Sequence, residues 1–113
     1  MIVATRTTPN TSSDPLVQEF VTGFTEATGS APTMWNAVGY TQAMITIEAL
    51  ENAEALTRDC FEYALDQMEE FETGFIPPVT FGPENRQGVN AVGVGKITKD
   101  GIVEVAPFQV LAD

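Results

Sequence analysis

Apolar residues recur at helical spacing in three stretches of the chain. In the first, Asp14 can cap backbone N–H groups and Pro15 suits the first helical position, so the pattern predicts a helix from Pro15 to Thr28. Gly29 supplies a stop, because glycine readily adopts the left-handed conformation that ends helices. The inner face of this helix is formed by Leu16, Val17, Phe20, Val21 and Phe24.

Two further helices are predicted downstream. One begins at Val38 or Gly39 and ends near Ala53, after a segment at 33–36 that we expect to be extended. The other runs from Arg58 to about Glu70, with Thr57 as its cap. The inner faces comprise Tyr40, Ala43, Met44, Ile47 and Leu50 in the second helix, and Phe61, Ala64, Leu65 and Met68 in the third.

Strand patterns lie at the two ends of the chain. Residues 1–5 are rich in β-branched side chains, and Val79–Phe81 form a short run of the same kind. Residues 90–98 alternate and are followed by Lys99-Asp100-Gly101, which is typical of a hairpin turn, with a return strand over 102–106. Three helices with apolar faces need a larger sheet than these strands provide. The sequence therefore predicts part of a larger layered domain, or one half of an obligate assembly.

Composition narrows the classes of function. The chain has 113 residues, a formal net charge of −11 and no histidine. Such a negative field repels phosphate backbones and anionic lipids, so we expect no binding to nucleic acid or to membrane surfaces. No window approaches about 18 consecutive apolar residues, so we expect no membrane insertion. Without histidine, Ser–His and Cys–His catalysis within this chain is excluded. Cys60 is the only cysteine, so no internal disulfide and no cysteine zinc cluster is expected.

Three acidic residues crowd the end of the third predicted helix. Glu69, Glu70 and Glu72 are interpreted as a solvated rim. Calcium or magnesium would also accept carboxylate oxygens, but the spacing does not follow a calcium-binding loop. A third hypothesis for the function is an enzyme that uses Glu69 and Glu72. The sequence shows no pattern that would desolvate or pair these acids. We predict no catalytic residue, no metal and no cofactor.

The order of these motifs resembles the C-terminal third of type I periplasmic solute-binding proteins, the Leu/Ile/Val-binding and extracellular ligand-binding receptor family of ABC transporters. The resemblance covers roughly residues 1–106. The stretches that carry it are Asp14-Pro15 with Phe20 and Phe24, Gly29–Pro32, Ala37–Tyr40 with Ala43 and Ala49-Leu50, Phe61–Leu65, Thr73-Gly74 with Val79–Phe81, and the closing hairpin. Where the family has a second glycine before its "v.f" strand, this chain has Ile76-Pro77-Pro78.

The resemblance implies an α/β fold: a partial type I lobe with three helices, short strands and a C-terminal β-hairpin. Residues 1–89 would be the late part of the first lobe, and residues 90–113 the closing strands and tail of the second. The hinge crossings would lie near residues 1–9 and 88–92. Family members are about three times longer, so the chain would be a truncated product, a fragment, or a stand-alone relative that completes its fold by pairing.

Site residues follow from the same resemblance. Trp35 lies where the family places an aromatic or apolar residue at the ligand cleft, and Asn36 beside it could hydrogen-bond a ligand. Thr7 and Thr8 fall at a predicted hinge crossing, where we expect solvated hydroxyls. Arg58 and Arg86 are expected to pair with carboxylates.

The implied function is binding of a small polar solute such as an amino acid, without catalysis, for delivery to an ABC permease. The implied location is periplasmic or extracellular, although the apolar start at residues 1–4 is too short for a signal-peptide core. The alternative is an interaction or structural protein that folds as a homo-oligomer, by domain swapping or by pairing of helix faces, and binds no solute of its own.

Overall fold

The computed structural model describes residues 1–111. It contains three α-helices followed by a β-hairpin, with one strand preceding the helices. The elements are β1 (Ile2–Thr5), α1 (Pro15–Thr28), α2 (Met34–Asn52), α3 (Arg58–Asp66), β2 (Ala91–Thr98) and β3 (Gly101–Val110). Within residues 1–111, no helix is both long enough and apolar enough to cross a membrane.

The ends of α1 and the start of α3 lie where the sequence predicts them. The Asp14 carboxylate accepts a hydrogen bond from the Leu16 N–H at 2.9 Å, and Gly29 takes the left-handed conformation with a φ of 77°. Thr57 caps α3 by accepting from the Cys60 N–H. However, α3 ends at Asp66, earlier than the predicted Glu70. Acidic side chains at a helix C-terminus oppose the helix dipole, which favours the early end.

The prediction that residues 33–36 are extended is wrong. Helix α2 begins at Met34, because Thr33 and Asn36 form a capping box. The Asn36 carboxamide oxygen accepts from the Thr33 backbone N–H at 2.8 Å, and the Thr33 hydroxyl oxygen accepts in turn from the Asn36 N–H. Reciprocal capping satisfies backbone donors at the helix start and outweighs the extended preference expected of this short segment.

The three strands form one antiparallel sheet in the order β1-β2-β3. Strand β1 pairs with β2 from Ile2↔Lys96 to Thr5↔Gly93, and the predicted hairpin joins β2 to β3. Val79 forms a single bridge with Phe71, so the strand predicted over 79–81 does not extend. Strand β3 continues through Pro107, which an edge strand tolerates because its outward side needs no N–H donor.

The core consists of two small clusters that are centred on the helices and on the irregular segment 67–90. Phe75 is fully buried and meets the rings of Phe20 and Tyr40 edge-on, at centroid distances of 5.3 Å and 6.0 Å. The second cluster comprises Ala49, Ala64, Met68 and Val79, with half-buried neighbours. Phe75 and Val79 are fully buried and belong to the irregular segment 67–90. The helices are therefore held together by side chains that lie in no helix or strand.

The surface of the chain is larger than its mass predicts. The accessible area is 7496 Å², against roughly 6,100 Å² for a folded monomer of this mass. The radius of gyration is 15.5 Å, against about 13 Å for a compact domain of this length. The excess agrees with the expectation that three strands cannot cover three helices.

Truncating Phe75 tests the aromatic cluster. Phe75→Ala should lower the free energy of unfolding by about 3–5 kcal/mol, because the side chain is fully buried between α1 and α2. Urea denaturation followed by circular dichroism measures the change. Leu56→Ala is the control, since Leu56 is 87% exposed and should change stability by less than about 0.5 kcal/mol. Equal effects of the two substitutions would contradict this core.

Substitution by alanine should change the free energy of unfolding in opposite directions at two glycines. Gly74 has a φ of 89°, and an added Cβ would lie 2.5 Å from the Leu16 Cβ, so Gly74→Ala should destabilise the fold. Gly23 lies within α1 with open space around it, so Gly23→Ala should raise the unfolding free energy by about 0.5–1 kcal/mol. Thermal unfolding of both variants checks the signs, and a stable Gly74→Ala protein would show that the turn at 74 differs from the one described.

Candidate functional site

A cavity of about 390 Å³ lies between the loop that follows β1, the segment between α1 and α2, and the β2–β3 turn. Its volume falls within the range of small-molecule sites. The lining combines hydroxyl, amide and carboxylate groups with apolar side chains. The lining residues are Thr5, Thr7, Thr8, Pro9, Asn10, Thr11, Val21, Ala31, Pro32, Met34, Asp100, Gly101 and Ile102.

The loop at 7–11 is tied down on three sides. The Thr8 N–H donates to the Phe75 carbonyl at 2.5 Å, which joins the loop to the aromatic cluster. The Thr11 hydroxyl donates to the Ile102 carbonyl at 2.6 Å, which joins it to β3. The Asn10 amide donates to the Pro32 carbonyl at 2.9 Å, which joins it to the segment before α2. The polar groups of this loop are therefore held in fixed positions around the cavity.

The polar groups of the cavity include one with an unmet hydrogen bond. Within residues 1–111, the buried carboxamide oxygen of Asn10 has no hydrogen-bond partner. Thr5 and Thr7 are almost fully buried, with 4% and 3% of their surface exposed. An unsatisfied buried acceptor costs free energy that a donor from a bound molecule can recover. The cavity lining therefore combines an unmet polar group with apolar side chains such as Met34 and Ile102.

The predicted site residues Trp35 and Asn36 lie in the first turn of α2, directly after the cavity residue Met34. Trp35 is 64% exposed, and the Arg6 guanidinium carbon lies 5.7 Å from the centre of its ring. Neither Trp35 nor Asn36 lines the cavity. The carboxamide oxygen of Asn36 is engaged in the capping box, accepting from both the backbone and the hydroxyl of Thr33.

The expectation of solvated hydroxyls at Thr7 and Thr8 is wrong for Thr7, which is buried. Both residues line the cavity, together with Asn10 and Asp100, which sequence reasoning did not single out as functional. The recurrence of threonine at 5, 7, 8 and 11 is the signal that was available. The contact of this loop with residues 100–102 depends on the antiparallel sheet, which the sequence alone does not specify.

The acidic residues of the third helix end line a separate groove of about 380 Å³, between α2, α3 and segment 67–72. Among residues 1–111, no three cysteine or carboxylate side chains are placed to hold a metal ion. Arg86 pairs with Asp66 and lies 3.7 Å from a Glu62 oxygen, which confirms its predicted pairing with carboxylates.

Comparison with known proteins agrees with the fold. The family model of periplasmic binding proteins matches residues 1–101. A possible leucine/isoleucine/valine-binding protein from Rhodopirellula baltica SH 1 is similar in structure, with a TM-score of 0.81 and 23% identity over 94% of this chain. A leucine-binding protein from Thermotoga maritima MSB8 gives a TM-score of 0.71 and 22% identity, also over 94% of this chain.

The chain spans 29% and 30% of the lengths of these two structures. No curated protein sequence matches it significantly. Nearly the whole chain thus aligns with less than a third of each structure. This confirms the fold of a partial lobe that the order of motifs predicts. Because the family model covers nine-tenths of the sequence and the fold agrees, the chain belongs to the type I periplasmic binding protein family.

Proposed function

We propose that the chain contributes to the binding of a small polar solute such as an amino acid, as part of an ABC-transporter substrate-binding protein. The observation that carries this proposal is that the matched family region, residues 1–101, includes all but one of the residues lining the cavity. Membership of a binding-protein family and a cavity of suitable size together support solute binding in this cavity. The alternative of an interaction protein without a solute has no comparable support.

The lining suggests how an amino acid would be held. Thr5, Thr7 and the Asn10 carboxamide oxygen offer hydrogen bonds to the charged groups of a zwitterion. Met34 and Ile102 offer apolar contacts to an aliphatic side chain. The two proteins of similar structure are a possible leucine/isoleucine/valine-binding protein and a leucine-binding protein, so an aliphatic amino acid is the solute we propose.

Trp35 and Asn36 are proposed as additional ligand contacts at the rim. Trp35 follows the lining residue Met34 in the first turn of α2 and is 64% exposed, so its ring is free to contact a solute at the rim. An aromatic ring there could cover the side chain of a solute with little loss of conformational entropy. Asn36 would contribute through its amide nitrogen, since its carboxamide oxygen accepts from Thr33.

The division into lobes is also a proposal. Residues 1–89 would belong to the first lobe and residues 90–113 to the second, of which residues 112–113 lie outside the described part. Thr5 pairs with Gly93, so the two hinge crossings proposed near 1–9 and 88–92 would run side by side. Adjacent crossings would bring the 7–11 loop of one lobe against the 100–102 turn of the other, which is where the cavity lies.

The protein that contains this site would bind without catalysis, deliver its solute to an ABC permease and act in the periplasm or outside the cell. The absence of histidine from the sequence agrees with a site that binds rather than reacts. The two proposed contacts with large apolar area, Met34 and Trp35, serve affinity and shape and carry no reactive group.

Calorimetric titration of the full chain with leucine, isoleucine and valine tests the proposal. We expect saturable heat, together with a change in fluorescence from Trp35, the single tryptophan. Thr7→Val should weaken binding about fivefold to tenfold, because it removes one buried hydroxyl from the lining.

Thr46→Val is the matched control for this titration. Thr46 lies on the exposed side of α2 and its hydroxyl donates to the Gln42 carbonyl at 2.9 Å, away from the cavity lining. Its substitution should leave affinity unchanged. Absence of heat with all three amino acids, or equal losses from both substitutions, would overturn the proposed site.

A further inference from the structure

Strand β2, the middle strand of the sheet, contains two glycines one residue apart. Gly93 and Gly95, which we term the glycine pair, lie in its interior. Glycine weakens a strand because it has no side chain to pack, and it frequently marks a place where another group approaches closely. The pairing of β2 with β3 is irregular here, with register shifts between Val92 and Val94 and between Val94 and Gly95. Sheet pairing alone therefore does not account for the glycine pair.

The side chain of Thr5 occupies the space that side chains on the glycine pair would fill. Thr5 in β1 is the register partner of Gly93. A Cβ added to Gly93 would overlap the hydroxyl oxygen of Thr5, and one added to Gly95 would lie 3.2 Å from its methyl carbon. The two branches of Thr5 thus lie against different glycines. Since threonine already has few χ1 rotamers, this contact holds its hydroxyl in one direction.

The two side chains that approach the glycine pair most closely both line the cavity. One is the buried Thr5, whose hydroxyl makes no hydrogen bond within residues 1–111 and is available to a solute. The other is Ile102 of β3, whose Cγ2 methyl would lie 2.6 Å from a Cβ added to Gly95. The glycine pair therefore makes room for one polar and one apolar group of the lining.

We propose that Gly93 and Gly95 are positioning residues of the solute site, which hold the Thr5 hydroxyl where it meets the charged end of an amino acid. This role rests on the proposed function, because it concerns the same cavity. A hydroxyl can donate to a carboxylate or accept from an ammonium group. A hydroxyl that is already held in one direction loses little conformational entropy when the solute binds. The affinity of the site thus depends on residues that do not line it.

A cycle of the single variants Gly93→Ala and Thr5→Ala with their double variant first tests the contact without solute. Gly93→Ala should lower the midpoint of thermal unfolding by roughly 4 °C or more, because its methyl group overlaps the Thr5 hydroxyl oxygen. Adding Thr5→Ala removes that oxygen, so the double variant should unfold at a higher temperature than Gly93→Ala alone. A double variant that unfolds no higher than Gly93→Ala would overturn the contact.

The same cycle, followed by calorimetric titration with leucine, separates a positioning role from a packing role. Thr5→Ala, Gly93→Ala and the double variant should each weaken binding by about fivefold to tenfold, because all three lose the same positioned hydroxyl. Independent contributions would instead multiply to roughly 25-fold to 100-fold in the double variant. Multiplied losses, or a double variant that regains wild-type affinity together with its stability, would overturn the positioning role.

A second comparison applies where Gly93→Ala alone does not fold. The double variant is then compared with Thr5→Ala, and equal affinities and unfolding temperatures are expected, because the added methyl group no longer meets an oxygen. The next nearest side chain, the Phe108 ring, would lie 3.5 Å from it, which is an ordinary contact. A double variant that binds leucine more weakly than Thr5→Ala would overturn a role of Gly93 that acts through Thr5.

Gly82→Ala is the matched control for both measurements. A Cβ added to Gly82 meets no atom within 4 Å, and Gly82 does not line the cavity. The substitution should leave the unfolding temperature and the leucine affinity unchanged, and losses equal to those of Gly93→Ala would contradict the inference. Absence of heat with the wild-type chain would overturn the proposed function along with this role. Leucine binding by the wild-type chain with the wrong pattern in the cycle would overturn this role alone.

Discussion

The buried ring of Phe75 joins the core of this chain to its candidate binding site. Its side chain packs against Phe20 of α1 and Tyr40 of α2, and its carbonyl accepts from the Thr8 N–H at 2.5 Å. Thr8 belongs to the loop that forms one wall of the cavity. One residue in an irregular segment thus contacts two helices and also anchors one of the three points at which the loop of the site is held.

The second constraint is that the apolar faces of the helices must be buried, and the described residues bury them only in part. The helices pack on one another and on segment 67–90, while the sheet has three strands. The two similar structures are more than three times longer than the matched region. The excess of accessible surface over that of a folded monomer of this mass agrees with a chain that aligns with less than a third of each longer structure.

The sequence predicted those features that local chemistry decides. Asp14-Pro15 starts α1, Gly29 ends it, and Thr57 caps α3, because each of these residues acts within one helical turn. The sequence pattern places the start of α2 too late. The capping box has Asn36 at its third helical position, where glutamate or glutamine is usual, so the motif was not recognised. The strand predicted over 79–81 does not extend, because its backbone groups bond to three different segments: Val79 to Phe71, Thr80 to Gly88 and Phe81 to Met68.

The cavity could not be predicted from local patterns. The pairing of β1 with β2 brings residues 5–11 to the 100–102 turn, and the hydrogen bond from Asn10 to the Pro32 carbonyl brings them to the 31–34 segment. The family resemblance places Trp35 near a ligand. The loop sequence around Thr7 and Thr8, by contrast, predicts solvated hydroxyls. The burial of Thr7 is a consequence of long-range packing, which residue type alone does not reveal.

Backbone chemical-shift mapping of the full chain with leucine is the most direct test of solute binding at this site. The account predicts concentration-dependent shifts of amide signals in residues 5–11, 31–35 and 100–102, with little change in the acidic groove lined by Glu69 and Glu72. Shifts confined to that groove, or no shifts at saturating leucine, would contradict the account.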